Sequence, residues 1–279
     1  MNEFHHLVRF ESKEGHIFIG DITEDVSHLE SLVGVEAEVF EGTSPWDSGF
    51  RKVLAPLPSV PIFPCVGLNY QHHAAEVNVD IPSTPPLFYK PPDALAGPDE
   101  DIHVHPTARC LDYEGELCIV IGRDCKNLAE DDNPLDYVFG YTVGNDISSR
   151  YWQAPAISSN QAGYAKGFDQ FAPIGPVITS SRLLPDLSCL MLTTHVNGEE
   201  RQRHRLDDMI FDVPAIIRFI STGRTIKQGT VIMTGTPSGV IAGMRDKVWL
   251  KNGDTVEVTI EKVGRIKNRM VMEEGRDGP

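Results

Sequence analysis

Glu114 and Glu116 stand one residue apart in Leu111-Asp112-Tyr113-Glu114-Gly115-Glu116-Leu117, directly ahead of the apolar run CIVIG. Side chains alternate along a β-strand, so the two carboxylates project to the same face. An isolated Glu-x-Glu is an ordinary surface spacing. Here the apolar sequence that follows places the pair at the edge of a core, where like charges raise a pKa or recruit a cation. Asp146 is a third acid in a comparable place, ending YVFGYTVGN before a turn. Taken alone it reads equally well as the cap of a short helix. With Glu114 and Glu116 it makes an all-oxygen site, which suits Mg²⁺ or Mn²⁺, with Ca²⁺ as an alternative, over zinc. Three protein ligands on a six-coordinate ion leave room for a chelating substrate and a water.

A second constellation is Gly67-Leu68-Asn69-Tyr70-Gln71-His72-His73-Ala74-Ala75-Glu76. If Tyr70–Val77 is helical, His73 and Glu76 share a face. A carboxylate beside an imidazole fixes its tautomer and raises its basicity, giving a dyad able to take a proton from water. The same spacing also describes a plain surface pair, and His72 is the weaker candidate because it points elsewhere. Arg150 and Gln153 lie three apart just after Asp146, and Lys166 sits in the apolar, glycine-flanked AKGFD. Thr234-Gly235-Thr236-Pro237-Ser238-Gly239 is a Gly-rich turn whose backbone N–H groups could hold an anion. Each of these also reads as a solvated side chain or a simple turn.

The elements that must position these groups are mostly strands. Glu116–Ile121, Tyr137–Asn145, Gly175–Thr179, Met191–Val196, Thr230–Thr234 and Thr255–Ile260 are rich in Val, Ile, Thr and aromatics. Leu7–Phe10 and His16–Ile22 flank Gly15 as a small hairpin, and Asn197-Gly198 is a type I′ hairpin signal. The clearest helix runs over Val213–Ser221, capped by Asp212, with Pro214 in its first turn and Ile216, Ile217 and Ile220 as its apolar stripe. Short helices are expected at Tyr70–Val77 and Ser148–Gln153. Strands that come in runs point to an α+β, predominantly β fold and away from a doubly wound layout. Pro56, Pro58, Pro61 and Pro64 punctuate the chain. They set off a small N-terminal α/β module over residues 1–60 from a catalytic domain over 61–279.

Composition narrows the class. The chain has 279 residues with 40 acidic against 25 basic side chains, a formal charge of −15. That balance argues against a nucleic-acid footprint and suits a protein that collects a cation. A hydrophobic fraction of 41% with 23% charged residues can fill a real core, which excludes a disordered or fibrous chain. Five cysteines form no CxxC and several sit in apolar runs, so reduced thiols in a reducing compartment are expected. No membrane span, secretory leader or transit peptide is legible, and a soluble cytoplasmic protein is expected. There is no GxGxxG or Walker loop.

Read together, GLNYQHHAAE, PLFYKP, LDYEGEL, GYTVGNDISSRYWQ, AKGFDQFAPIGP, VNGEERQ and VIMTGTPSGV resemble, in content and order, the fumarylacetoacetate hydrolase family. Similarity is strongest to its short members, which act on acylpyruvates and oxaloacetate. The resemblance implies a mixed β-sandwich roll, usually a homodimer, and a small 2-oxo acid or diketo acid substrate. It implies that Glu114, Glu116 and Asp146 ligate Mg²⁺ or Mn²⁺ and that His73 and Glu76 activate water on a segment that orders around substrate. Lys166 would balance developing enolate charge. Tyr70, Arg150, Gln153 and Thr236, with Lys90 as a weaker member, would line the substrate pocket. Leu68 and Asn69 stand where the true fumarylacetoacetases carry a fourth metal-binding carboxylate. Tyr151 replaces an acid common in short members, and residues 154–164 lack the usual basic character.

The expected activity is metal-dependent hydrolysis of a C–C bond in acylpyruvate-type 1,3-diketo acids through an enolate. Tautomerisation or decarboxylation of oxaloacetate on the same site is the alternative. A hydratase of the same fold is disfavoured by a dyad built for water activation. A non-enzymatic protein holding structural Ca²⁺ would not need the dyad, Lys166 and Arg150 together.

Overall fold

The computed structural model describes residues 4–26, 32, 35, 37–39 and 50–274. Its fold is α+β and predominantly β, built on two sheets. The larger sheet runs, in spatial order, Glu38–Val39, Ile17–Ile22, His6–Ser12, Ala172–Ser180, Val138–Asn145, Gly115–Ile121, Val231–Met233, Phe63–Val66 and Leu87–Lys90. The smaller one runs Glu199–Arg205, Met191–Val196, Thr255–Ile260, Gly264–Met272 and Ile102–Val104. Thr255–Ile260 alternates half-buried and buried positions, as a strand with one face on the core does. Gly115–Ile121 is buried at every position, because other layers cover both of its faces.

The expected strands are present with boundaries shifted by a few residues, and the glycine hairpins form as read. Asn197 and Gly198 both have positive φ, 52° and 82°, as a type I′ turn requires. The helix at Val213–Ser221 is capped by Asp212 Oδ1, which accepts from the Ala215 amide at 2.8 Å. Ile216, Ile217 and Ile220 are buried, each contributing roughly 1.5–3 kcal/mol relative to exposure. The helix expected over Ser148–Gln153 is shorter. Ser148–Ser149 pairs as strand with Leu111–Asp112, and only Arg150–Gln153 is helical. That short pairing ties the segment after Asp146 to the segment before Glu114.

The N-terminal hairpin joins the larger sheet directly. His6–Ser12 lies antiparallel to Ala172–Ser180, with His6 opposite Thr179 and Val8 opposite Val177. A small apolar cluster of Val8, Phe10, Ile22 and Val53 packs there with Val177 of the central sheet.

Candidate metal centre

Three segments bring the acids together. Gly115–Ile121 pairs with Val138–Asn145, Gly115 opposite Asn145, so Glu114 and Asp146 leave the same end of adjacent strands. The Asp146 amide donates to the Glu114 carbonyl at 2.8 Å and the Glu114 amide to Asn145 Oδ1 at 2.9 Å, which fixes that junction. Glu114, Glu116 and Asp146 are all buried, and each offers a carboxylate oxygen within 4.8 Å of the others.

Cations already surround two of the three. Lys166 Nζ donates to Glu114 Oε2 at 2.7 Å and to Asp146 Oδ2 at 2.6 Å. Arg150 donates from one terminal nitrogen to Glu114 Oε1 at 2.5 Å, from the other to Gln153 Oε1 at 2.6 Å, and from Nε to Asp112 Oδ2 at 2.8 Å. Lys90 Nζ lies 2.6 Å from Asp146 Oδ1 and donates to the Ile147 and Phe171 carbonyls. Glu116 has no such partner. Its Oε2 accepts from the Gly235 amide at 2.7 Å, while Oε1 is buried with no hydrogen-bond partner among the described residues.

The charges respond accordingly. Burial alone would raise Glu114, but Lys166 and Arg150 outweigh it and hold that carboxyl at about 2. Burial, then Asp146 and Glu114 close by, push Glu116 well above the ordinary carboxylate range. Lys166 and Arg150 are desolvated yet raised by the carboxylates they touch. Lys90, sealed from solvent, is lowered by burial in spite of Asp146.

A divalent cation fits this donor set. The ligands are hard oxygens, and the buried, unpartnered Oε1 of Glu116 lacks the positive charge that an ion would bring. The side chains that would hold it are Glu114, Glu116 and Asp146.

The dyad is formed on the helix Gln71–Glu76. His73 Nδ1 lies 2.8 Å from Glu76 Oε2, and Glu76 Oε1 accepts from the Gly239 amide at 2.9 Å. An ionised carboxylate only accepts, so Nδ1 carries the proton and the Nε2 lone pair is left for water. His73, Glu114, Arg150, Gln153 and Lys166 line one cavity of about 750 Å³. The same lining includes Leu68, Val77, Val79, Leu87 and Phe88 together with the neutral amides Asn160 and Gln161.

Other expected pocket residues sit behind this surface. Lys90 is fully buried beneath Asp146. Thr236 is buried, its hydroxyl donating to the Gly115 carbonyl at 3.0 Å and accepting from Gln202 at 2.8 Å. Tyr70 is fully buried, with a hydroxyl that has no hydrogen-bond partner and a pKa raised by burial and then by Glu116 and Asp208. The Gly-rich turn does hold carboxyl groups, and they are the chain's own: the Gly235 amide donates to Glu116 and the Gly239 amide to Glu76. Gly235 and Gly239 have φ of 94° and 102°, the left-handed region that favours glycine. Asn69 braces the dyad helix, donating to the Phe211 and Thr234 carbonyls and accepting from the Phe211 amide. Tyr151 stacks under Arg109, whose guanidinium lies 3.5 Å from the ring centroid.

Asp112 is the functional residue that sequence reasoning passed over. Besides Arg150, it accepts from the backbone amides of Tyr113, Ile241 and Ala242 at 2.9 Å each. Its signal was an acid inside LDYEGEL, two residues before Glu114.

Comparison with known proteins agrees with this architecture. Residues 63–271 match the family described as Fumarylacetoacetate (FAA) hydrolase C-terminal. The oxaloacetate tautomerase YisK of Bacillus subtilis is 38% identical over 218 residues, 77% of this chain and 71% of that protein. A fumarylacetoacetate hydrolase from Exiguobacterium antarcticum superposes with a TM-score of 0.79 at 34% identity, covering 96% of this chain and 100% of the other. A 2-hydroxyhepta-2,4-diene-1,7-dioate isomerase from Mycobacterium marinum gives 0.78 at 34% identity, covering 97% and 100%.

Proposed function

The chain belongs to the fumarylacetoacetate hydrolase family, and on that premise we propose that it is a divalent-metal-dependent hydrolase of acylpyruvate-type 1,3-diketo acids. The observation that carries this reading is the buried, unpartnered Oε1 of Glu116 beside Glu114 and Asp146, with Glu114 and the His73 of a formed His73–Glu76 pair lining one cavity. Glu114, Glu116 and Asp146 would hold a Mg²⁺ or Mn²⁺ ion, which would supply Lewis acidity towards a 2-oxo acid.

The chain's own groups do the rest. His73, oriented by Glu76, takes a proton from water at Nε2. The hydroxide attacks the acyl carbonyl, the C–C bond breaks, and its electron pair passes to the enolate of the departing pyruvate. Lys166 spends two of its three N–H donors on Glu114 and Asp146, which leaves one for the enolate oxygen as charge develops there. Protonated His73 returns the proton to the enolate carbon. Among the described residues the lining has no basic side chain beyond His73, Arg150 and Lys166 and is otherwise largely apolar, which supports a neutral acyl arm over a second carboxylate.

A second reading is oxaloacetate tautomerisation, favoured by the similarity to YisK. It moves one proton between carbon and oxygen and needs no activated water. Parallel assays with Mg²⁺ on acetylpyruvate, fumarylpyruvate and oxaloacetate separate the two. Hydrolysis releases pyruvate and acetate from acetylpyruvate, and both Glu116→Gln and His73→Ala abolish that release. Loss of enol-oxaloacetate absorbance that survives His73→Ala, without pyruvate from any diketo acid, overturns the hydrolase in favour of the tautomerase.

A further inference from the structure

On the outer side of the dyad helix, His72, His204 and Asp208 converge. Each offers a ligand atom within 4.8 Å of the others. They come from three elements: the helix Gln71–Glu76, the strand Glu199–Arg205 and the turn Leu206–Asp208. The cluster is held in place. Asp208 accepts from the His72 amide at 3.1 Å and contacts its Nδ1 at 2.7 Å, and Ser238 Oγ lies 2.8 Å from His204 Nε2. Tyr70 and Met209 form a β-bridge, and the Ile210 amide donates to the Asn69 carbonyl, so the two segments bearing His72 and Asp208 are laced together.

We propose that His72, His204 and Asp208 form a second metal site, selective for a borderline transition ion such as Zn²⁺ or Co²⁺. Two imidazoles and one carboxylate are the donors such ions take, whereas Mg²⁺ prefers oxygen alone. Ligands around a tetrahedral ion stand roughly 3–3.5 Å apart, so small side-chain rotations close the present spacing. The Ser238 contact to His204 Nε2 orients that ring and leaves Nδ1 for the ion, the way a metal-bound imidazole is usually supported. His72 is mostly exposed, which leaves open coordination positions to water. An ion here would pin the helix that carries His73 to the strand and turn beside it, independently of the inner centre.

The test uses the full chain, stripped with chelator and resupplied with excess Mg²⁺, then titrated with Co²⁺ and followed by visible d–d absorption and equilibrium dialysis. The expected result is a further equivalent of Co²⁺ bound in the presence of Mg²⁺. It is lost in His72→Ala and in His204→Ala and kept in Glu116→Gln. Co²⁺ uptake that is unchanged in both histidine variants, or absent in excess Mg²⁺, overturns the site. His72 is exposed, so His72→Ala keeps its fold. Zn²⁺ is expected to raise the melting temperature of the Mg²⁺-loaded protein and to leave that of His72→Ala unmoved.

Discussion

Asp112 satisfies four donors with one carboxylate: the amides of Tyr113, Ile241 and Ala242 and the Nε of Arg150. Arg150 in turn holds Glu114 and Gln153. Replacing Asp112 by Ala leaves a desolvated guanidinium without half of its counter-charge and three backbone amides without an acceptor. Removing one member of a buried pair costs roughly 3–5 kcal/mol. The Asp112→Ala protein is therefore expected to unfold at a clearly lower urea concentration and to turn over acetylpyruvate far more slowly. An unchanged urea midpoint would refute the assignment. Glu114, Glu116 and Asp146 were legible as a cluster because a period-two pair ahead of an apolar strand has few other homes. Asp112 was not, because its partners Ile241 and Ala242 lie 129 and 130 positions further along the chain, and no local spacing reports such a contact.

The dyad helix and the segment after the Gly-rich turn approach closely at Gly243. A Cβ built on Gly243 would lie 2.4 Å from Glu76 Cδ and 2.6 Å from its Oε2. The nearest atoms belong to a flexible side chain, so Gly243→Ala should displace the Glu76 carboxylate and spare the fold. Misplacement of that order costs about 100-fold in rate. The expected outcome is such a fall in kcat for acetylpyruvate with an unaltered melting temperature, read by steady-state kinetics alongside calorimetry. Elements with one apolar face were readable in advance: the stripe of Val213–Ser221 and the alternation of Thr255–Ile260 both mark the side that packs. Gly264–Met272 escaped notice because Arg265, Lys267 and Arg269 alternate with buried Ile266, Asn268 and Met270, which thins the apolar signal. Ser148–Ser149 pairs as strand where local sequence suggests helix, because its partner Leu111–Asp112 is remote in sequence.

Across the whole molecule, the N-terminal strand is bound to the central sheet through a buried histidine. His6 Nδ1 lies 2.9 Å from Thr179 Oγ1, and burial lowers its pKa below 6.5 despite Asp25 and Asp21 nearby. A depressed histidine binds fewer protons folded than unfolded, so stability is full above the unfolded value near pH 6.5 and falls as pH drops towards the folded pKa. Urea midpoints measured between about pH 5 and 8 should show this slope, and His6→Gln should flatten part of it. His204, also lowered by burial, supplies a further part. A slope identical in His6→Gln and the parent protein would contradict the assignment. At the same scale, Glu116 and Glu76 hang from amides only four residues apart on one loop, while Asn160 and Gln161 border the cavity from a separate segment. On the proposed function, exchange of one acyl group for another would fall on Asn160 and Gln161 and leave untouched the loop from which the reactive carboxyl groups hang.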